Sequence, residues 1–480
     1  MTRDKSSYFK EISGWKLDAK LEDNDRYFYL APDVESLLRG ERAYVIGRKG
    51  TGKTAIASFI KKKKDYCHFA ISLTLKNFPF NQLYAFSDNR YTSPNEYITI
   101  WKYIVYVNLL YLMVDNEGVD AGLRAAVKKV MPCDPKAALS RKLNVWTSAA
   151  FNIGFSELSA GLDISRTSES VDLNWVERTQ VLEQVIFEKI DTSSYFILFD
   201  ELDEDYKYQS IFGENKQYLD LISGLFKAVQ DIKSISIERG VNVNPVIFLR
   251  DDIYDLIQDP DKTKWGDLAV DLKWNKSEMQ SLIAHRLARA AGANAKKVFF
   301  GETWHEFFAR ESIKVGLGRE KEISIYDWIT KNTLLRPRDY IKYLQLCAKK
   351  AYEANYRLVR ASTLTMQDIT YSSYLRGELV DEIHSILPDI VNIFDLISKL
   401  GKAHFSVDDF SSAYQKAYES GEVKNKNPRY VLNILFFFSV IGNHFSDNKI
   451  VFRYMNREAS LNLDCALVVH RGLYKSLQLF

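Results

Sequence analysis

A strand, a glycine-studded turn and a helix must follow one another without a break at residues 44–60, YVIGRKGTGKTAIASFI. Tyr44-Val45-Ile46 has the β-branched and aromatic make-up of a short buried strand. It runs into Gly47-Arg48-Lys49-Gly50-Thr51-Gly52-Lys53-Thr54, the G-x-x-x-x-G-K-T spacing of a phosphate-binding loop. Gly47, Gly50, Thr51 and Gly52 make the turn, and the glycines let the backbone aim its N–H groups inward as a nest for phosphate oxygens. Lys53 is expected to reach the β- and γ-phosphates and the Thr54 hydroxyl to hold Mg²⁺. The helix beginning there sets its positive dipole end behind the phosphates. Lys61 to Lys64, in its last turn, suit the negative end.

A second stretch answers the first. In SSYFILFDELDEDY (193–206), Tyr195 to Phe199 is a continuous apolar run, as expected of a strand covered on both faces in a parallel sheet. It stops at Asp200-Glu201, and carboxylates at the C-terminal end of such a strand stand where open α/β sheets bind ligands. Asp200 is the candidate Mg²⁺ ligand, through water, and Glu201 the candidate general base for an attacking water. A third apolar run, Pro245 to Leu249, ends in Arg250-Asp251-Asp252. If its strand lies between the other two, Arg250 is placed to contact a γ-phosphate; the alternative is an ion pair with the adjacent acids.

The rest of the chain supplies a frame. Its 480 residues predict about three domains. With 46% hydrophobic and 26% charged residues the composition is that of an ordinary globular protein, and a net charge of +3 argues for no nucleic acid by itself. Cys67, Cys133, Cys347 and Cys465 are far apart and match no metal-ligand spacing, which favours reduced thiols and a cytoplasmic setting. The first residues lack a signal-peptide core. The apolar runs 103–114 and 431–442 are too short to span a bilayer, so no membrane partner is expected. Residues 24–29, NDRYFY, are candidates to pack near an adenine base. A second strand is expected at 68–73, a helix at 94–114, and a hairpin at 151–165 turning near Ser156-Glu157, where the alternation changes parity. Helices follow at 175–190 and 216–235.

GRKGTGKTAI, FILFDELDE, VIFLRDDIYD, DLKWNKSEMQSLIAHRLARA and LLRPRDYIKYLQLCAKKA stand in the order seen in AAA+-like ATPases. The pattern resembles the branch near the origin-recognition and STAND-type signalling ATPases. It resembles still more a bacterial family with an FLR-x-D-I motif found in mobile and anti-phage defence contexts. The likeness covers about residues 25–375. It implies an α/β P-loop core at 1–265 with an inserted module at about 75–175, a helical lid at 266–380, and ATP with Mg²⁺ as cofactors. It also implies that Arg250 takes a sensor position and that Arg336 or Arg338 reaches the γ-phosphate from the lid; capping of the helix at Pro337 is the structural alternative. Two departures stand out. Asp200 follows Lys53 by 147 residues, longer than is usual in AAA+ proteins, and no trans-acting arginine finger is identifiable, which leaves a homo-oligomer as an open expectation.

From 381 to 480 the pattern changes to three short helices, 390–400, 407–418 and 429–437, then a hairpin turning at 446–448, the outline of a winged helix. Residues 421–460 hold six Lys/Arg against three Asp/Glu. The third helix, NPRYVLNILFFFSV, is apolar rather than basic, which makes docking to a protein effector at least as reasonable as binding DNA. The tail HRGLYKSLQLF is amphipathic and is expected to fold back on the ATPase core. Two functional classes follow: an ATP-driven switch acting on a protein partner, with weak DNA affinity at most, or an initiator-like or transposition-helper ATPase using the winged helix on duplex DNA.

Overall fold

In the computed structural model the described residues are 5–74, 83–88, 90–130, 175–203, 216–293, 298–315, 321–447 and 449–479. They divide into two units, Leu30–Lys273 and Met1–Tyr29 with Trp274–Phe480.

In Leu30–Lys273 five strands form one parallel sheet: β1 Tyr44–Ile46, β2 His68–Thr74, β3 Ser194–Asp200, β4 Asn242–Leu249 and β5 Ala269–Asp271. Their spatial order is β2-β3-β4-β1-β5. Val45 is paired with Phe248 and Val270, and Ile197 with Ile71 and Pro245. Tyr195 to Phe199 are each 0% exposed, because helices cover both faces of a parallel sheet. Aromatic side chains fix the strands to those helices. Trp101 meets Phe199 edge-on at 5.7 Å and donates from Nε1 to the Leu221 carbonyl at 2.8 Å. Behind β1, the Tyr44 hydroxyl donates to the Phe226 carbonyl at 2.9 Å, and the Phe226 ring lies 4.8 Å from Trp265. β1, β3 and β4 run in one direction, so their C-terminal ends open on one edge of the sheet. β4 lies between the other two, as the reading of Arg250 required.

The helix expected at 94–114 spans Ile98–Asp115, after a 3₁₀ turn at Asn95–Tyr97. It is long and apolar enough to cross a membrane by composition alone. Its side chains from Ile100 to Met113, Lys102 apart, are buried on every face, which makes it a core helix. The hairpin expected at 151–165, and much of the inserted module at 75–175, lie outside the described residues.

The other unit begins at Trp274 rather than at 266, because Ala269–Asp271 pair with β1. Lys276–Ala290 starts with a capping box, Asn275 and Glu278 each accepting the other's backbone N–H. Further helices span Phe300–Phe307, Ile325–Asn332, Pro337–Glu353 and Ala361–Ile383, with a hairpin of β6 Ser312–Val315 and β7 Lys321–Ser324 that the sequence pattern did not announce. Residues 5–29 join this unit instead of the sheet. Phe9 packs on Phe307 at 5.5 Å, and the Arg286 guanidinium lies over Trp15 (4.5 Å) and Tyr27 (4.9 Å) while binding Glu22 at 2.5 Å. Of the residues expected near an adenine, Asn24 and Tyr27 are buried, and the Tyr27 hydroxyl donates to Glu11 at 2.6 Å.

Helices Ile390–Leu400, Val407–Glu419 and Pro428–Phe437 match expectation to within a residue at each end. They pack with an antiparallel sheet of order β10-β9-β11-β8, made of β8 His404–Phe405, β9 Ile441–His444, β10 Ile450–Val451 and β11 Ala466–Val469. This is a winged-helix arrangement in which β9 and β10 form the wing. Leu435, Phe436 and Phe438 are buried, as their apolarity demanded. The tail folds back on the helical part of its own unit: Arg471 lies over the Trp328 ring at 4.4 Å, the Ser476 N–H donates to Ser372 Oγ at 2.9 Å, and Ser398 Oγ donates to the Leu477 carbonyl at 2.7 Å.

Candidate functional site

The loop has the backbone its glycines foretold. Gly50 and Gly52 sit at φ 84° and 110°, a region L side chains rarely adopt. A Cβ on Gly47 would stand 2.7 Å from Thr51 Oγ1 and 2.9 Å from Leu272 Cβ, so close packing also demands glycine there. Thr51 Oγ1 donates to the Arg48 carbonyl at 2.8 Å, bracing the turn from within. The Lys53 ammonium donates to the Gly47 and Arg48 carbonyls at 2.7 and 3.1 Å. Burial lowers its pKa, with Asp203 acting in the opposite sense.

Asp200 ends β3 only 5% exposed, its pKa raised by burial. The Glu201 N–H donates to its Oδ1 at 3.0 Å, and the nearby Thr54 hydroxyl favours the charged form of the same carboxyl group. Two motifs, with Thr54 146 residues before Asp200, thus bring a hydroxyl and a carboxylate to the same edge of the sheet, hard-oxygen groups of the kind Mg²⁺ takes. Glu201 follows at φ 60°, a left-handed conformation uncommon for a residue with a side chain and of the sort held at functional sites.

Arg250 caps the short helix Asp251–Leu256 at the end of β4. Its Nε donates to Asp252 Oδ1 at 3.0 Å and its Nη2 to Oδ2 at 2.5 Å, while Nη1 stands 3.6 Å from Asp203 Oδ2. The ion-pair alternative for this arginine is therefore realised, on the strand that separates the two motif strands. Of the paired acids, Asp252 belongs to the adjacent acids of the ion-pair alternative, and Asp203 is the site residue that motif reading passed over. The signal for Asp252 was its two-residue spacing from Arg250.

The two lid candidates separate. Arg336 is 1% exposed, bound to Asp339 at 2.8 Å and Glu382 at 2.9 Å. Burial opposes its charge, and the two carboxylates more than offset that, so its pKa lies well above the ordinary value. A guanidinium enclosed in this way holds its own unit together, and it would reach a phosphate only by leaving both carboxylates. Arg338 is partly exposed and binds Glu378 at 3.0 Å.

The sheet order, the loop and the acid-ended strand make the core a P-loop NTPase fold of the AAA+-like kind. A family model described as the FunZ-associated C-terminal helical domain matches residues 277–380. No curated protein matches the chain. Among solved structures, the Orc1 protein of Aeropyrum pernix in complex with DNA is similar at 12% identity, covering 98% of this chain and 96% of that one, with a TM-score of 0.38. Cdc6p of Pyrobaculum aerophilum is similar at 12% identity over 98% and 96%, TM-score 0.32. The Orc2 protein of A. pernix in its ADPNP–ADP complexes is similar at 13% identity over 88% and 91%, TM-score 0.29. At these identities and scores the fold assignment rests on the strand order and the loop described above.

Proposed function

We propose that this chain is an ATP-binding, slowly hydrolysing molecular switch that controls a protein partner. The observation that carries the reading is that the glycine-turned loop after β1 and the buried Asp200 that ends β3 open on the same edge of the parallel sheet. The loop backbone from Gly47 to Thr54 would cradle the phosphates, and Lys53 would exchange the Gly47 and Arg48 carbonyls for phosphate oxygens. Thr54 and Asp200 would hold Mg²⁺, which offsets phosphate charge when bound. Glu201 is the base for the attacking water, Arg250 the residue beside the γ-phosphate, and Arg338 the remaining lid arginine. Action on a protein effector in anti-phage defence rests on the sequence resemblance and on the buried apolar third helix.

Lys53→Ala tests the binding half. Charged hydrogen bonds are worth about 1.5–3 kcal/mol each, so losing them should weaken Mg-ATP by roughly ten- to a hundredfold or more. Calorimetric titration of both proteins reads this, and unchanged affinity in the variant would remove the loop from the binding site.

Lys424 and Lys426, exposed ahead of the third helix, and Arg429, exposed in its first turn, favour a second reading with DNA as ligand. Duplex binding through so few cations should be weaker than about micromolar at physiological salt and fall steeply between 50 and 200 mM. Anisotropy titrations give the answer. Nanomolar, sequence-selective binding lost on changing Lys449 and Arg453 to Ala would promote the initiator-like reading over the switch.

A further inference from the structure

Among the described residues, the Arg250 guanidinium has two acidic partners of unequal grip. Asp252 takes Nε and Nη2 in a bidentate pair at 3.0 and 2.5 Å, the side chains being 14% and 8% exposed. Asp252 is itself anchored, since its Oδ1 accepts the Ile253 N–H at 3.0 Å at the start of the helix that Arg250 caps. That pair fixes the plane of the guanidinium and is hard to part, because parting it strands a buried charge. Asp203 is different. It stands 3.6 Å from Nη1, beyond hydrogen-bond range, with its side chain 31% exposed, in the turn just after Asp200-Glu201. It also acts on Lys53, as the largest of the charges favouring the ammonium. One loosely held carboxylate therefore serves two of the cations assigned to phosphate.

We propose that Asp252 is the positioning residue that aims Arg250, and that Asp203 is an exchangeable anion that the γ-phosphate displaces from Nη1. The proposal rests on the ATP reading above and says how that site distinguishes ATP from ADP. A third phosphate brings negative charge to the place Asp203 fills, whereas ADP leaves the Asp203–Arg250 contact in place. Exchange frees the turn that follows the acidic pair, so the state of the nucleotide is passed to the backbone next to Glu201. It also assigns a task to both acids around the FLRDDI arginine: the one two residues on holds it, and the one across from β4 yields.

The test is calorimetric titration of full-length protein with Mg²⁺ and either ADP or a non-hydrolysable ATP analogue, read as the ratio of the two affinities. Asp203→Asn removes the competitor and should raise the preference for the triphosphate by about fivefold, the scale of a partly exposed ion pair. Asp252→Asn unseats the arginine and should lower that preference by a similar factor, with Asp252→Glu restoring part of it. In an Arg250→Ala background, Asp203→Asn should lose most of its effect on the ratio, keeping only what acts through Lys53, a coupling that loss of folding alone cannot produce. Unfolding profiles of each variant identify any that fails to fold, and the partly exposed Asp203 site keeps the proposal open to refutation if Asp252→Asn does. Wild-type protein that binds both nucleotides while Asp203→Asn leaves the ratio unchanged overturns the exchange and spares the ATP reading. Wild-type protein that binds neither overturns both.

Discussion

Glu201→Gln should bind Mg-ATP as the unaltered protein does and hydrolyse it about 10²- to 10⁴-fold more slowly, the range that a positioned general base contributes. The amide keeps the size and one acceptor of the carboxylate but cannot take a proton from water. Its neighbours need not move, because the N–H that Asp200 accepts belongs to the residue 201 backbone and is present in both proteins. The left-handed conformation at 201 is equally open to glutamate and glutamine, so the substitution adds no backbone strain. Single-turnover phosphate release beside nucleotide titration separates the two effects. Turnover undiminished in Glu201→Gln would remove the residue from the base role and leave Asp200 or an outside group to activate the water. Loss of binding together with turnover would instead make it a structural member of the loop.

The parts of this site that could be read beforehand are those whose physics is local. At 44–60 the β-branched run, the three glycines and the helix pattern each report on their immediate neighbours, and the strand, turn and helix came out in place. The same holds for β3 ending at Asp200, where burial on both faces is written as an unbroken apolar run. For the winged helix, apolar spacing was enough to place three helices. What could not be read depends on partners distant in sequence. Arg286 finds Glu22 across 264 positions, and nothing in either segment announces that the first 29 residues pack with the second unit. Arg336 and Arg338 looked alike as a pair of arginines around a proline. Only Glu382, 46 residues away, makes the first a buried brace. The tail was legible as amphipathic, but its apolar side carries no address, and it lies on 325–332 and 361–383 of its own unit.

That brace supplies the largest effect on stability. Arg336→Ala should destabilise the Trp274–Phe480 unit by about 3–5 kcal/mol, the usual result of removing one partner from a buried ion pair. Asp339 is 0% and Glu382 7% exposed, so neither carboxylate can turn to water once the guanidinium is gone. Asp339 also accepts the Leu334 N–H at 3.0 Å, which ties the arginine to the turn entering Pro337–Glu353 as well as to Ala361–Ile383. The loss should therefore loosen the packing of those two helices against each other. For a unit of this size the midpoint of thermal unfolding should fall by roughly 6–20 °C, at about 2–4 °C per kcal/mol. Arg338→Ala, at a partly exposed pair with Glu378, should cost no more than about 1 kcal/mol and serves as the comparison. Differential scanning calorimetry of the full chain measures both, with the nucleotide-free protein as reference. The same two variants decide the older question about the lid. If Arg336→Ala unfolds like the unaltered protein and weakens ATP while sparing ADP, then the arginine leaves its carboxylates to meet phosphate and the brace is the wrong account. If Arg336→Ala falls apart early and Arg338→Ala is the variant that loses the preference for ATP, the two arginines flanking Pro337 divide the work: one holds the unit together, and the other senses nucleotide.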